Sequence, residues 1–436
     1  MFLSLIPENS IMLVALILFI ATYACLLVFA KYRSYIALAS AAIFVILGIL
    51  PINKLFGALD YNVLMMIAGT MGIVSLFIES KMPSLLADLI LERVPNVKWA
   101  VISLALFAGI VSAFIDNVAT VLMIAPVALN ISKKLKISPV PSLIAISISS
   151  NLQGAATLVG DTTSIMLSSK DYANMDFLDF FWFKGHIGLF FIVQVGALVS
   201  TLVLLYFFRK DKDKVEAPER TKVQDYFPTI LLGLMVILLI AASFIPNKPD
   251  ETNGYIVMSL LLVGLIYKLI KTKNFKSLLT NVKEIDYYTL LLLAGLFIVI
   301  AGISEAGIIL KISEIISNLG NNNVFLVYTI IVWASVLFSA FIDNIPYVAT
   351  MLPVVGAIAV NLGLDAPYVL YFGLLIGATL GGNLTPIGAS ANITTLGILR
   401  KEGYEVKAKQ FMKLSVPFTL AAVTTGYLLI WLIWGM

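Results

Sequence analysis

Two stretches of the chain carry the same polar phrase. Ser112-Ala113-Phe114-Ile115-Asp116-Asn117 and Ser339-Ala340-Phe341-Ile342-Asp343-Asn344 are identical over six residues, with the Asp-Asn pairs 227 positions apart. Each pair lies inside an apolar segment, residues 99–132 and 322–362, that reads as helix, polar turn, helix. An apolar hairpin of this kind enters and leaves a membrane on one side. Its turn lies deep, where backbone groups must be satisfied by protein or by a water-filled cavity. An ionisable side chain there is costly and signals function. Asp116 and Asp343 could also cap the returning helices, since Asp and Asn are favoured caps. Serine would cap without a buried charge, so an ion or proton role is expected in addition.

A second pair of polar clusters follows. Residues 149–164 contain Asn151, Gln153, Gly154, Thr157, Gly160, Asp161 and Thr162; residues 377–392 contain Asn383, Thr385, Pro386, Gly388, Ser390 and Asn392. Both fall inside apolar spans, 139–169 and 366–399. Small residues also serve helix packing in membranes, but packing does not explain Asp161, Asn383 or Pro386. The pattern predicts two broken helices. Their unwound carbonyls could hold a cation, and the N-termini of their second halves an anion. Asp161 aligns with Ala389, so the two clusters are chemically unequal.

The elements that position these clusters follow from composition. The 436 residues are 60% hydrophobic and 12% charged, against about 25% charged in soluble domains. Apolar runs of about 20 residues recur throughout, as in a polytopic membrane protein. About ten crossing helices are expected, at 10–30, 35–51, 60–79, 139–169, 186–208, 228–246, 253–270, 285–303, 366–399 and 414–434. The first is read as retained rather than as a signal peptide. With both hairpins returning to the side they enter from, 24 of the 29 Lys and Arg fall on one face. By the positive-inside rule that face is cytoplasmic and both termini lie outside, the protein residing in the plasma (inner) membrane of a prokaryote. Cys25 has no internal disulfide partner. The lone His186, the interfacial Trp182 and Trp431, and Glu79 and Glu305 at span ends read as structural or solvated. The net charge of +4 is explained by this loop bias and implies no nucleic-acid partner.

The polar landmarks keep their register across the chain. Asp60-Tyr61 and Asp286-Tyr287, Gly69 and Gly295, and Glu79 and Glu305 are each 226 apart, and Thr157 and Thr385 are 228 apart. The hydrophilic linker 209–227 divides two repeats, 1–208 and 228–436. In the expected topology these repeats are inverted, the mark of many secondary transporters, whose sites lie at mid-membrane where the copies meet.

The phrases at 114–127, 154–161, 341–354 and 381–392 resemble the ion transporter superfamily, in the branch of arsenite permeases, sodium/proton antiporters, silicic-acid effluxers and the melanosomal P protein. The resemblance implies an all-α protein with a scaffold and a transport domain, elevator-type alternating access and usually a homodimer. It also implies sodium or other cation sites at Asp116, Asn117, Asp343 and Asn344, completed by the broken helices. Relatives often read Gly-Asp-Pro-Pro-Asn where this chain has Gly160-Asp161-Thr162-Thr163-Ser164, and Gly where it has Gln153. These departures bear on substrate rather than fold.

The functional expectation is a secondary transporter coupled to Na+ or H+, with no other cofactor, moving a small inorganic or organic anion or oxyacid. With no Arg or Lys expected inside the site, weakly charged anions, neutral oxyacids or cations are favoured over multivalent anions. Sodium/proton antiport through Asp116, Asp343 and Asp161 is the alternative. An intramembrane aspartyl protease is remote, because Leu158 stands where the first glycine of its Gly-x-Gly-Asp phrase would be. A channel would show flux without coupling. The chain has no nucleotide-binding phosphate loop for primary pumping, and no enzymatic activity is expected.

Overall fold

The computed structural model describes residues 8–215 and 220–435. The first half runs α1 (Glu8–Val28), α2 (Arg33–Ile46), α3 (Tyr61–Glu79), α4 (Met82–Leu91), α5 (Val97–Ser112), α6 (Asn117–Leu135), α7 (Val140–Gln153), α8 (Thr162–Leu167) and α9 (Leu189–Phe207). A two-stranded turn, Trp182–Phe183 paired with His186–Ile187, precedes α9. The second half runs α10 (Phe227–Ala242), α11 (Thr252–Thr272), α12 (Phe275–Lys283), α13 (Tyr287–Glu305), α14 (Ile308–Leu319), α15 (Val324–Ser339), α16 (Asn344–Asn361), α17 (Tyr368–Gly381), α18 (Ser390–Lys401) and α19 (Ala408–Trp434).

From α3 and α13 onward the two halves begin their helices with the same devices. Asp60 caps α3 by accepting from the Val63 N–H (2.9 Å), and Asp286 caps α13 through Thr289 (3.1 Å). Asn96 caps α5 and Asn323 caps α15. Asp116 and Asp343 cap α6 and α16. A short polar side chain before each apolar run thus satisfies backbone donors that lipid could not.

The halves are not separate bodies. α3 packs on α11 and α13 on α2, while α9 packs on α19 across the repeat boundary. Gly69 and Gly295 permit the first two contacts: a Cβ would stand 2.7 Å from Val257 and from Ala37 respectively. Two groups of helices result. α5–α9 and α15–α19 form a block around the polar clusters; α1–α3 and α10–α13 form a frame beside it; α4 and α14 touch both.

Boundaries differ from the sequence reading where apolar runs exceed the helices in them. Among the described residues, eight helices are long and apolar enough to cross a membrane. They include α6 and α16, the returning arms of the hairpins, whereas α2, α10 and the broken helices are too short to count. α14 and α15 meet at 114° across a short break and could count as a ninth span. The helices α4, α12 and α14 were not anticipated. They are short, and α12 and α14 are amphipathic, so a search for apolar runs passes over them. His186 is exposed and its ring lies 4.9 Å from that of Trp434, a surface packing role.

Candidate functional site

At each hairpin tip the aspartate is a helix cap and has an oxygen left over. Asp116 Oδ1 accepts from the backbone N–H groups of Val118 (3.0 Å) and Ala119 (3.2 Å). Asp343 Oδ1 accepts from Ile345 (3.3 Å). The second oxygens then diverge. Asp343 Oδ2 accepts from Arg33 (3.2 Å) and from the Ser390 hydroxyl (3.0 Å). Among the described residues no protein group donates to Asp116 Oδ2.

Arg33 overturns the expectation of a site without basic residues. The topology had placed it in a loop, but it opens α2. Its Nε donates to the Leu26 carbonyl (3.1 Å), and its guanidinium reaches under the second tip. The pair is largely buried, with side chains 16% and 8% exposed.

Both broken helices form as expected. α7 and α17 each end in a single 3₁₀ turn, Gly154–Ala156 and Gly382–Leu384. The chain is then extended at Thr157 and Asp161 (φ −136° and −147°) and at Thr385 and Ala389 (φ −123° and −137°), with a turn between each pair, before α8 and α18 begin. The Thr157 hydroxyl donates to the Ala113 carbonyl, and the Thr385 hydroxyl to the Ala340 carbonyl. Each extended stretch is therefore fastened to the hairpin tip of its own half. Gly160 and Gly388 allow the approach. A Cβ on Gly160 would lie 2.7, 2.9 and 3.0 Å from the carbonyl oxygens of Gly154, Ala113 and Ser112. On Gly388 it would lie 2.6, 2.7 and 2.8 Å from those of Gly382, Ser339 and Ala340.

Other bonds cross between the halves. Asn383 Nδ2 donates to the Ile148 carbonyl (2.9 Å) and the Ser147 hydroxyl to Asn392 Oδ1 (2.7 Å). Asn392 Nδ2 returns to the carbonyls of Gly382 and Thr385, both at 3.1 Å. Asn344 Nδ2 donates to Asp161 Oδ2 (2.9 Å); Asn117 Nδ2 donates within the first half to Asn151 Oδ1 (2.8 Å), and Asn151 Nδ2 crosses to the Thr379 carbonyl (2.7 Å). The halves thus meet through buried amides, while the unwound segments are satisfied largely by bonds within their own half.

The tips and broken helices converge on a cavity of about 420 Å³, within the range of small-molecule sites. Asp116 and Asn117 reach it from the first tip, Asn344 from the second, Asp161 and Thr162 from the first broken helix, and Ser390 from the second. It extends past Ser75 and Glu79 of α3 and Thr280 and Asn281 of α12 to Glu284 and Asp286. These last residues lie at the end of the basic stretch 268–284. Among the described residues five carboxylates line the cavity and no Lys or Arg does.

The model of the family described as "Citrate transporter" matches residues 14–377. The chain belongs to the citrate transporter family. A "46 kDa membrane protein" of Mycobacterium leprae is 30% identical over 96% of this chain and 98% of its own length. An "uncharacterized transporter" of Mycobacterium tuberculosis is 30% identical with the same coverage. The P protein of Mus musculus is 28% identical over 90% of this chain, which spans 56% of that longer protein. The solved YdaH transporter of Alcanivorax borkumensis matches 92% of this chain and 97% of its own with a TM-score of 0.59 at 14% identity, a likeness of fold. Membership of this family makes the chain an integral membrane transporter rather than an enzyme, and the aspartyl-protease reading is set aside.

For this member of the family, the sixteen residues singled out by sequence divide by position. Asp116, Asn117, Asp161, Thr162, Asn344 and Ser390 line the cavity, and Asp343 adjoins it through its bond to Ser390. Asn151, Gly154, Thr157, Gly160, Asn383, Thr385, Gly388 and Asn392 do not line it; they hold the broken helices together behind it. Gln153 points elsewhere. It exchanges two amide hydrogen bonds with Gln194 of α9 (3.0 and 2.7 Å), because its place on α7 faces that helix. Sequence reading missed Arg33, Ser75, Asn281, Glu284 and Asp286. Asp286 alone had left a signal, as the register mate of Asp60. Glu79, expected to be merely solvated, lines the cavity. It is half exposed and bonded to Lys268 (2.5 Å) and Asn281 (3.0 Å).

Proposed function

We propose that the chain is a cation-coupled secondary transporter of a small organic anion or oxyacid, with Asp116 at the centre of the coupling-ion site. The observation that carries this reading is the cavity where both tips and both broken helices meet. It is rich in carboxylates, and Asp116 contributes an oxygen to which no group among the described residues donates. Sodium or a proton would occupy that oxygen, with Asn117, Asp161 and Thr162 close by. At the second tip Arg33 already offsets the charge of Asp343, so a cation there would have to displace the guanidinium. The family description makes a citrate-like carboxylate the first substrate to test. An anion entering among five carboxylates meets repulsion unless cations accompany it, which gives a physical reason for symport. Its own carboxylate could rest at the N-terminus of α18, where Ala389 supplies no side-chain cap.

Sodium/proton exchange is the second reading, supported by the absence of Lys and Arg from the cavity lining. In the proposed cycle the hairpin tips and broken helices travel as a block against the frame, exposing the cavity alternately to each face, in a dimer held by frame helices. The test is uptake by proteoliposomes of radiolabelled citrate and a panel of smaller carboxylates and oxyanions, under imposed sodium and pH gradients. Substrate uptake driven by either gradient supports symport. Sodium-driven proton movement without any anion supports exchange. Substrate flux indifferent to both gradients would overturn the proposal in favour of a channel.

A further inference from the structure

The two hairpin tips are joined to each other by a line of buried side chains that passes through the backbone of Thr379. Asn117 at the first tip donates to Asn151 Oδ1 (2.8 Å), and Asn151 Nδ2 donates to the Thr379 carbonyl (2.7 Å). The Thr379 hydroxyl lies 3.0 Å from that of Thr163, and Thr163 donates to Asp161 Oδ2 (3.0 Å). Asn344 at the second tip donates to that same oxygen (2.9 Å). None of the six side chains belongs to a residue more than 4% exposed.

A hydroxyl has one proton to give. Thr163 gives its proton to Asp161, so Thr379 must give its own to Thr163. Both arms of the line therefore end as donors on one carboxylate oxygen. Duplication did not supply this line twice. At the offset of 228, Asp161 corresponds to Ala389, Thr163 to Ala391 and Asn151 to Thr379. Asp161 is its single ionisable member, and it also lines the cavity. The charged groups that face Asp161 are Asp116 of α6, Asp343 of α16 with its partner Arg33, and Glu79, Glu284 and Asp286 across the cavity. The adjoining α7 and α17 contribute no charged residue.

We infer that Asp161 is a positioning residue that couples the two tips through Thr163, Thr379 and Asn151. As a carboxylate it holds Asn344 directly and draws the other arm taut, since a charged acceptor binds donors about twice as strongly as a neutral one. When a proton or cation from the cavity neutralises it, both arms slacken together. Ion occupancy on the first half's broken helix is thereby communicated to both hairpins, although their aspartates belong to different repeats. This rests on the proposed function only for what neutralises Asp161.

The experiment is hydrogen–deuterium exchange on the detergent-purified full chain, without substrate or gradient, read on peptides covering 113–122 and 340–349. Asp161→Asn keeps the size and an accepting oxygen but removes the charge. It should raise exchange severalfold at both tips. In a Thr379→Val background the response at 340–349 should persist and the response at 113–122 should vanish. Thr379→Ser, which restores a hydroxyl, should bring it back. If Thr379→Val does not fold, Thr163→Ala interrupts the same arm and should give the same result. An undiminished response at 113–122 in the interrupted background would show that the tips sense Asp161 through the field across the cavity, and would overturn the relay. So would Asp161→Asn leaving either tip unchanged. Because no gradient is imposed, a transporter found indifferent to sodium and pH would sink the coupling proposal while leaving this comparison intact.

Discussion

Replacing Gly160 or Gly388 by alanine adds one methyl group where three backbone carbonyls already converge. Ordinary contact begins near 3.4 Å, whereas the new carbon would start 2.7 Å from the nearest oxygen at Gly160 and 2.6 Å at Gly388. The chain must open by about 0.7 to 0.8 Å at these positions. No flexible side chain can yield, because the nearest atoms belong to the backbone of the hairpin tip and of the 3₁₀ turn. Overpacking of this kind costs about 1–3 kcal/mol. Here it falls on the contact between tip and broken helix, so the ion- or substrate-bound geometry should weaken by roughly 5- to 150-fold. The control is Gly397→Ala in α18, where a Cβ meets nothing within 4 Å and helix propensity should favour alanine by about 0.5–1 kcal/mol. The assay is uptake in proteoliposomes at matched protein density, beside the melting temperature of each variant. Both tip glycine variants should lose most transport while still inserting. If they transport as Gly397→Ala does, the fastening of tip to broken helix has no part in function.

Asp116→Asn should abolish the response of transport to sodium or pH gradients with the fold retained, since the amide still accepts the capping bonds; a parental response would leave Asp116 as a cap only. Arg33→Ala should destabilise by about 3–5 kcal/mol, because it strands a largely buried carboxylate, and adding Asp343→Asn should recover a good part of that loss in thermal unfolding; no recovery would mean that Arg33 acts by packing alone. Orientation is tested by single cysteines at the exposed positions Lys212, Lys276 and Pro249 in a Cys25→Ser background, with a membrane-impermeant label on intact cells: Pro249→Cys should label from outside and the other two should not. Lys248 is a poor probe because its amine is bound to Asp176.

The parts legible in the sequence were those written twice. The phrase at 112–117 and 339–344 marked both tips, and clusters of Gly, Asn and Thr with Asp161 or Pro386 within apolar runs marked both broken helices, because helix packing alone gives no use for a buried carboxylate or a mid-span proline. Partners that lie far apart in the chain were not legible. Nothing near Arg33 announces Asp343, 310 residues on, and counting charges by loop placed that arginine with the solvent-facing bases. Gln153 stood within a polar cluster and was grouped with the site, though the turn of α7 directs it to Gln194. The arms α4, α12 and α14 escaped because helices of 9 to 12 residues, the last two amphipathic, leave no long apolar run.

The bonds between block and frame have a consequence for how the block can move. On the second half, Arg33 holds Asp343, and the Tyr23 hydroxyl of α1 donates to the Pro346 carbonyl (2.8 Å). On the first half, Ser169 donates to Asp60 (2.6 Å), and Asp176 and Lys170 after α8 pair with Lys248 and Asp250 of the frame, both at 2.5 Å. A neutral hydrogen bond contributes about 0.5–1.5 kcal/mol and one to a charged partner about 1.5–3 kcal/mol. Both halves of the block are therefore held to the frame by bonds to charged groups, and in the proposed cycle both sets must break before the block moves. The two fastenings are unlike: the second half is held at its hairpin tip and the first half at the segment behind its broken helix, so a movement of block against frame would have to release two different sets of bonds in one stroke.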